Sequence, residues 1–154
     1  MRNPNEIIIN GKILTEVLAL HAAWKEGSVD GVRAILRWAN LHGTDLHAAD
    51  LYGADLRYTN FSAADLSDAS LRNASLTGAD LSDANLRGAT GPFSTFFGGR
   101  HHAVAAGGYA SIACERHTIA EWRERGQEIG RANNYSDAEI ERYMAWIATL
   151  GWLE

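Results

Sequence analysis

Between Ala34 and Thr90 a large apolar residue recurs at every fifth position: Leu36, Leu41, Leu46, Leu51, Leu56, Phe61, Leu66, Leu71, Leu76, Leu81 and Leu86. Two residues before each stands a small one, in turn Ala34, Ala39, Thr44, Ala49, Ala54, Thr59, Ala64, Ala69, Ala74, Ala79 and Ala84. The residue between the two is mostly Asp, Asn or Ser. Such a period is neither the roughly 3.6 of a helix nor the roughly 2 of a strand, so it excludes an ordinary amphipathic helix or hairpin here. A fixed internal period also outranks local propensity, because each unit must repeat the backbone path of the last.

The flanks read differently. Glu6 to Ile13 is two short apolar segments around Asn10-Gly11, a hairpin signal. Leu14, Val17, Leu18, His21 and Trp24 then fall at helical spacing, with Thr15 as the expected N-cap and the helix ending before Gly27. His21 lies on the apolar stripe and is read as a packed structural histidine. After Thr90 the period stops at Gly91-Pro92. Strands are expected at Phe93–Phe97, about His101–Ala105 and Tyr109–Arg116, separated by Gly-Gly pairs. Two helices follow, each announced by a capping box, Thr118 with Glu121 and Ser136 with Glu139. The first buries Ile119, Trp122 and Ile129; the second buries Ile140, Tyr143, Met144, Ile147 and Leu150.

The unit Ala-(Asp/Asn)-Leu-x-x, sustained through Leu86, resembles the pentapeptide-repeat family. The helix patterned Leu14…His21…Trp24 that leads into the first coil is similar to the start of short phage and prophage members. The resemblance implies a mainly β fold, a right-handed quadrilateral β-helix with four pentapeptides to a coil of about twenty residues. The central Leu or Phe and the preceding small residue would point inward, and successive coils would stack at about 4.8 Å. Small inward residues are expected to let each coil turn its corner. The chain then divides into an N-terminal segment with a capping helix (1–33), about three coils of repeat (34–90) and a C-terminal α+β module (91–154). Side-chain burial alone does not offset the entropy of ordering so much chain, so the backbone ladder and covered ends are required. The module is expected on the C-terminal end of the β-helix. If its apolar surface exceeds what the last coil covers, a second copy of the chain is the natural partner, giving a homodimer through the module.

Charge narrows the function. The net charge is −5, with −3 on residues 34–90 and −2 on 91–154. No clustered basic face displaces counterions, so direct nucleic-acid binding is not expected. No run of apolar residues reaches the about 20 needed to span a bilayer, and the start MRNPNEIIINGK has no secretory pattern. No membrane association is expected. A single cysteine, Cys114, rules out an internal disulfide framework and suits a reducing cytoplasm.

Chemistry has little footing. Cys114-x-x-His117 with His101 and His102 has zinc-like spacing, but adjacent strand residues face opposite ways and no further ligand completes a site. A Cys114–His117 nucleophile beside Arg116 lacks an orienting carboxylate and an oxyanion hole. No catalytic residue, metal or cofactor is assigned, and the chain is read as a non-enzyme.

Order on the surface is what the repeat offers. With twenty residues to a coil, Asp45, Asp65 and Asn85 form one column, and Asn40, Asn60 and Asp80 form another on a neighbouring side. Asp68 and Asp83 follow their central leucines on those two sides. The other sides carry Arg37, Arg57, Arg72, Tyr52 and Tyr58 with Asp50 and Asp55. Two adjacent faces therefore lean acidic, and Asp45, Asp65, Asp68, Asp80 and Asp83 are the expected partner-binding residues. Regular acidic columns imitate a phosphate backbone. The expected partner is a host protein with a basic nucleic-acid-binding surface, for example an anti-phage defence complex such as CRISPR–Cas. Some longer members of the family similarly resemble DNA and act on DNA gyrase, but with many more coils. The alternatives are that Asp and Asn merely fill the family's outward position, and that the β-helix is a rigid scaffold for recognition by the C-terminal module.

Overall fold

The computed structural model describes residues 1–96, 100–113 and 115–153. Parallel bridges join residues twenty apart throughout the repeat: Ile35 with Asp55, Asn40 with Asn60, Asp45 with Asp65, Asp50 with Ser70, and onward to Ser70 with Thr90. Each bridge consists of two backbone bonds. The Leu36 amide donates to the Asp55 carbonyl at 2.8 Å and the Asp55 amide donates to the Ala34 carbonyl at 3.0 Å. The same pair recurs on the next side, from Leu41 to Asn60 and from Asn60 to Ala39. A chain that pairs with itself one coil later on each of four sides is a four-sided β-helix. The central Leu and Phe residues are buried along its axis, with Ala34, Ala54, Ala64 and Ala69 packed beside them.

The corner is not made where the sequence suggests. The residue two after each central Leu or Phe, from Trp38 through Gly43, Ala48 and Gly53 to Gly88, has φ between +56° and +73°. The small residue that follows donates its amide back to the leucine carbonyl, as Ala39 does to Leu36 at 3.0 Å and Thr44 to Leu41 at 3.1 Å. Each corner is thus a tight turn with a left-handed third residue. The small inward residue only closes the bond.

Before the repeat, β1 (Ile8–Ile9) and β2 (Lys12–Ile13) form the expected hairpin, and α1 spans Leu14–Lys25. Thr15 does not cap α1. The chain passes from β2 directly into the helix with Ile13 at the cap, the Leu14 amide donates to the Ile7 carbonyl, and the Thr15 hydroxyl donates to Asn5 Oδ1 at 2.8 Å. Ile7 and Leu14 belong to the same buried cluster as Leu36 and Leu41. His21 is fully buried and its Nδ1 accepts from the Ala34 amide at 3.1 Å.

After the repeat, β3 (Phe93–Phe96), β4 (Ala103–Ala106), β5 (Tyr109–Ile112) and β6 (Glu115–Thr118) form an antiparallel sheet in that order. The single strand expected over Tyr109–Arg116 is two, because Ala113 adopts φ +52° and reverses the chain. Residue 97, the expected end of the first strand, lies outside the described residues. Both capping boxes are formed, starting α2 (Ile119–Ala132) and α3 (Asp137–Ala148). All four residues of β4 are buried because each face meets a different core. Val104 and Ala106 join the repeat's cluster, while Ala103 and Ala105 join Ile119, Trp122, Tyr143 and Ile147. At the join the Gly78 amide donates to the Gly107 carbonyl at 2.9 Å, where a further coil would otherwise stand. No helix among the described residues is long and apolar enough to cross a membrane.

Candidate protein-binding faces

The outward residue before each central leucine has a local duty first. Its side-chain oxygen accepts the amide two residues on: Asp45 from His47 at 3.1 Å, Asn60 from Ser62 at 2.9 Å, Asp65 from Ser67 at 2.9 Å and Asp80 from Ser82 at 3.0 Å. These are Asx turns, which Asp and Asn form equally well. The turn explains why the position holds Asp or Asn. It does not select Asp, so the choice of a charge is a separate matter.

The structure brings four of the five predicted carboxylates together. Asp45 and Asp65 are bridge partners on one side, with Asn85 next in the column. Asp68 and Asp83 stand at the left-handed corners flanking that side. Asp65 Oδ1 accepts from the Ser67 hydroxyl at 2.6 Å and from Asn85 Nδ2 at 3.0 Å. The Ser67 bonds hold its carboxyl below the usual carboxylate range, so it is ionised at neutral pH. His47 Nδ1 lies 3.0 Å from the Ser67 hydroxyl and 4.0 Å from Asp68.

Asp80 is placed differently. Its carboxylate meets Arg116 Nε at 3.4 Å, and Ser82, which donates to it, contacts the Ser111 hydroxyl at 2.8 Å. Arg116 also donates to the carbonyls of Gly78 and Ala79 and stacks on Tyr109, 4.0 Å from the ring centroid. The C-terminal sheet therefore takes up Asp80 and leaves the side of Asp45 and Asp65 as the acidic one.

The opposite side of the coil is of another character. Asp55 is buried between Arg37, whose Nε lies 2.6 Å away, and Arg57, whose Nη2 lies 2.8 Å away. Its hydrogen bonds with Arg57 and then Arg37 outweigh burial and hold the carboxyl far below the usual range. At the adjoining corners Trp38 stacks on Tyr58, with centroids 4.2 Å apart and planes 8° from parallel. Trp38 plays no part in the sequence reading above. The available signal was its place in the period, since only Trp38 and Tyr58 among the eleven corner residues are not Gly, Ala, Asn or Asp.

Of the Cys/His constellation, His102, just before β4, faces Asp83. Cys114 lies outside the described residues. His117 Nε2 pairs with Glu115 at 3.0 Å and its ring meets Trp122 edge-on, while the His101 amide donates to the Tyr143 hydroxyl. No group of three or more His, Cys, Asp or Glu able to hold a metal ion is found among the described residues.

A family model described as "Pentapeptide repeats" matches residues 34–73 and 54–90, with eight copies of the unit. Among solved structures, the chain is similar to the pentapeptide repeat protein Rfr23 from the cyanobacterium Cyanothece 51142, at 37% identity over 37% of this chain and 39% of that one, with a TM-score of 0.36. It is similar to HetL of Nostoc sp. strain PCC 7120, a pentapeptide repeat protein involved in heterocyst differentiation regulation, at 31% identity over 37% and 38% of the two chains, with a TM-score of 0.23. A third, alr5209 of Nostoc PCC 7120, is 40% identical over 46% of this chain and 71% of that one, with a TM-score of 0.21. The chain thus spans less than two-fifths of the length of the first two. No curated protein matches it.

Proposed function

The chain belongs to the pentapeptide-repeat family, and we propose that it is a non-enzymatic protein-binding module whose acidic β-helix face imitates DNA and occupies the basic nucleic-acid-binding surface of a partner protein. On this reading the chain is made by a phage or mobile element and acts in the cytoplasm. Its target is a host protein that acts on DNA, such as an anti-phage defence complex of the CRISPR–Cas kind. The observation that carries the proposal is the clustering of Asp45, Asp65, Asp68 and Asp83 on and beside one side of the coil, with Asp45 and Asp65 in direct register. Backbone pairing fixes the spacing of these charges, so no backbone ordering is needed to arrange them on binding.

The architecture we attach to this is a right-handed helix of about three coils over 34–90. The 1–33 segment caps one end through α1 and the 91–154 module closes the other. The burial of Leu14 with Leu36 and the Gly78–Gly107 bond support that division. So short a helix suits a compact target rather than the gyrase-binding role of longer relatives.

The test is affinity capture from a bacterial lysate with the chain and with an Asp45→Asn/Asp65→Asn/Asp68→Asn/Asp83→Asn variant. Asn already serves the turns of Asp45 and Asp65 at Asn40, Asn60 and Asn85, and the corners of Asp68 and Asp83 at Asn73, so the fold should survive while the charge is lost. Nucleic-acid-binding proteins captured by the chain at low salt and missed by the variant support the proposal. Capture that is equal for both ends it.

The second reading, recognition by the C-terminal module on a rigid spacer, draws on Arg116 and Ser111 binding the module to the Asp80 side. A variant that loses all four charges but keeps its partner would favour it.

A further inference from the structure

The left-handed corners of the coil favour Gly, Asn and Asp, and nine of the eleven are one of these or the small residue Ala. Trp38 and Tyr58 are bulky residues in that conformation, at φ +61° and +59°. Such residues are outliers there, and strain kept in a fold directs attention to function. Burial does not account for them: Trp38 is 71% exposed and Tyr58 44%. They lie one coil apart in a single column and stack, and the third member of that column is Gly78, where a Cβ would collide with the Tyr58 ring. The column is built around the pair.

The same side exposes Ile35, which also lines an apolar groove of about 210 Å³ with Ile9, Val17, Leu20 and Val32. Lys12 and Arg33 border the groove, and Arg37 and Arg57 flank the stacked rings. Lys12 pairs with Glu16, and Arg37 and Arg57 share the one buried Asp55, so the side keeps an excess of positive charge on an acidic chain. Trp, Tyr and Arg are the residues that most often dominate binding energy at protein interfaces.

We propose that this face is a second, independent binding surface, opposite the acidic one, that takes a short acidic peptide segment of a protein partner. A large apolar side chain of the segment enters the groove beside Ile35 and stacks against Trp38, and its carboxylates meet Arg33, Arg37 and Arg57. Cationic segments are repelled by the same guanidinium groups.

The test is selection of a random peptide display library on the full chain, with a Trp38→Ala/Tyr58→Ala variant in parallel. Alanine already occupies such corners at Ala48 and Ala63, so the variant should fold, and circular dichroism checks that it does. The expected result is a consensus with a large apolar residue flanked by Asp or Glu. Its synthetic peptide should bind the variant about tenfold or more weakly and bind the four-fold Asp→Asn variant no more weakly than the unaltered chain. A basic consensus, a peptide held equally by both chains, or no enrichment at all overturns the proposal. So does Trp38-dependent binding of a single-stranded oligo-dT, which would make the face a nucleic-acid platform.

Discussion

The Ala34 amide donates to His21 Nδ1 across 3.1 Å, tying the first residue of the repeat to the helix before it. The acceptor must be unprotonated, which places the proton of the neutral ring on Nε2. Among the described residues the buried Nε2 has no hydrogen-bond partner. The ring also stacks on Trp24, with centroids 5.3 Å apart.

Replacing His21 with Ala should lower stability to urea by about 2–4 kcal/mol, through the cavity and the unpaired Ala34 amide. The pH dependence has a definite sign. Burial, outweighing the nearby Asp50 charge, lowers the folded-state pKa of His21 from 6.5. The unfolded state therefore binds the proton more readily. The stability from His21 is complete above pH 6.5 and is lost as pH falls from there towards the folded value. Urea midpoints of the unaltered chain should fall as pH drops from 6.5 to 5, and the His21→Ala variant should lack that part of the fall.

Glycine at a left-handed corner should stabilise the coil. Ala48 and Ala63 sit at φ +56° with their side chains exposed. An L-residue there carries a penalty of about 1–2 kcal/mol, and the extra unfolded-state freedom of glycine returns about half of it. Ala48→Gly and Ala63→Gly should each raise the melting temperature, for a gain of about 0.5–1 kcal/mol. Ala74→Gly, at the buried inward position of the same repeat, should lower it.

These corners also mark where the sequence could be read and where it could not. The columns were legible, since a strict period leaves no freedom in which residues stack, and Asp45 over Asp65 and Asn60 over Asp80 are bridged as expected. The two C-terminal helices were legible from Thr118–Glu121 and Ser136–Glu139, because a capping box is a local signal. The corner was not, because Trp38, Tyr58, Ala48 and Ala63 are poor markers of positive φ; only Gly43, Gly53, Gly78 and Gly88 with Asp68, Asn73 and Asp83 at the same step hinted at it. The fate of Asp80 was equally hidden, for it depends on Arg116, thirty-six residues away and on another sheet. Thr15 failed as a cap because tertiary pairing of Leu14 with Ile7 sets the helix start.

Asp55→Asn should destabilise the chain at neutral pH by about 1–3 kcal/mol, leaving Arg37 and Arg57 together without their shared anion. Because the folded carboxyl titrates far below its ordinary 3.8, the stability it supplies is present above that value and is lost only as pH falls towards the folded one. The gap between the two proteins in urea unfolding should thus stay constant from pH 7 to 5 and narrow below pH 4.

Gly107→Ala should loosen the C-terminal sheet from the coil. A Cβ at Gly107, where φ is +56°, would collide with the Leu76 carbonyl. The backbone must shift there, breaking the Gly78–Gly107 bond. We expect a loss of about 2–4 kcal/mol and faster proteolytic cleavage between the repeat and β3, read by limited proteolysis and mass spectrometry.

The claim that the acidic face stands in for DNA is tested most directly by competition. A partner captured from lysate is purified, and its binding to the chain is measured against increasing duplex DNA at fixed salt. Displacement by the duplex, together with loss of binding in the Asp45→Asn/Asp65→Asn/Asp68→Asn/Asp83→Asn variant, is the result predicted. A partner that binds DNA and this chain at once, with affinity unchanged by the loss of those four charges, would contradict it.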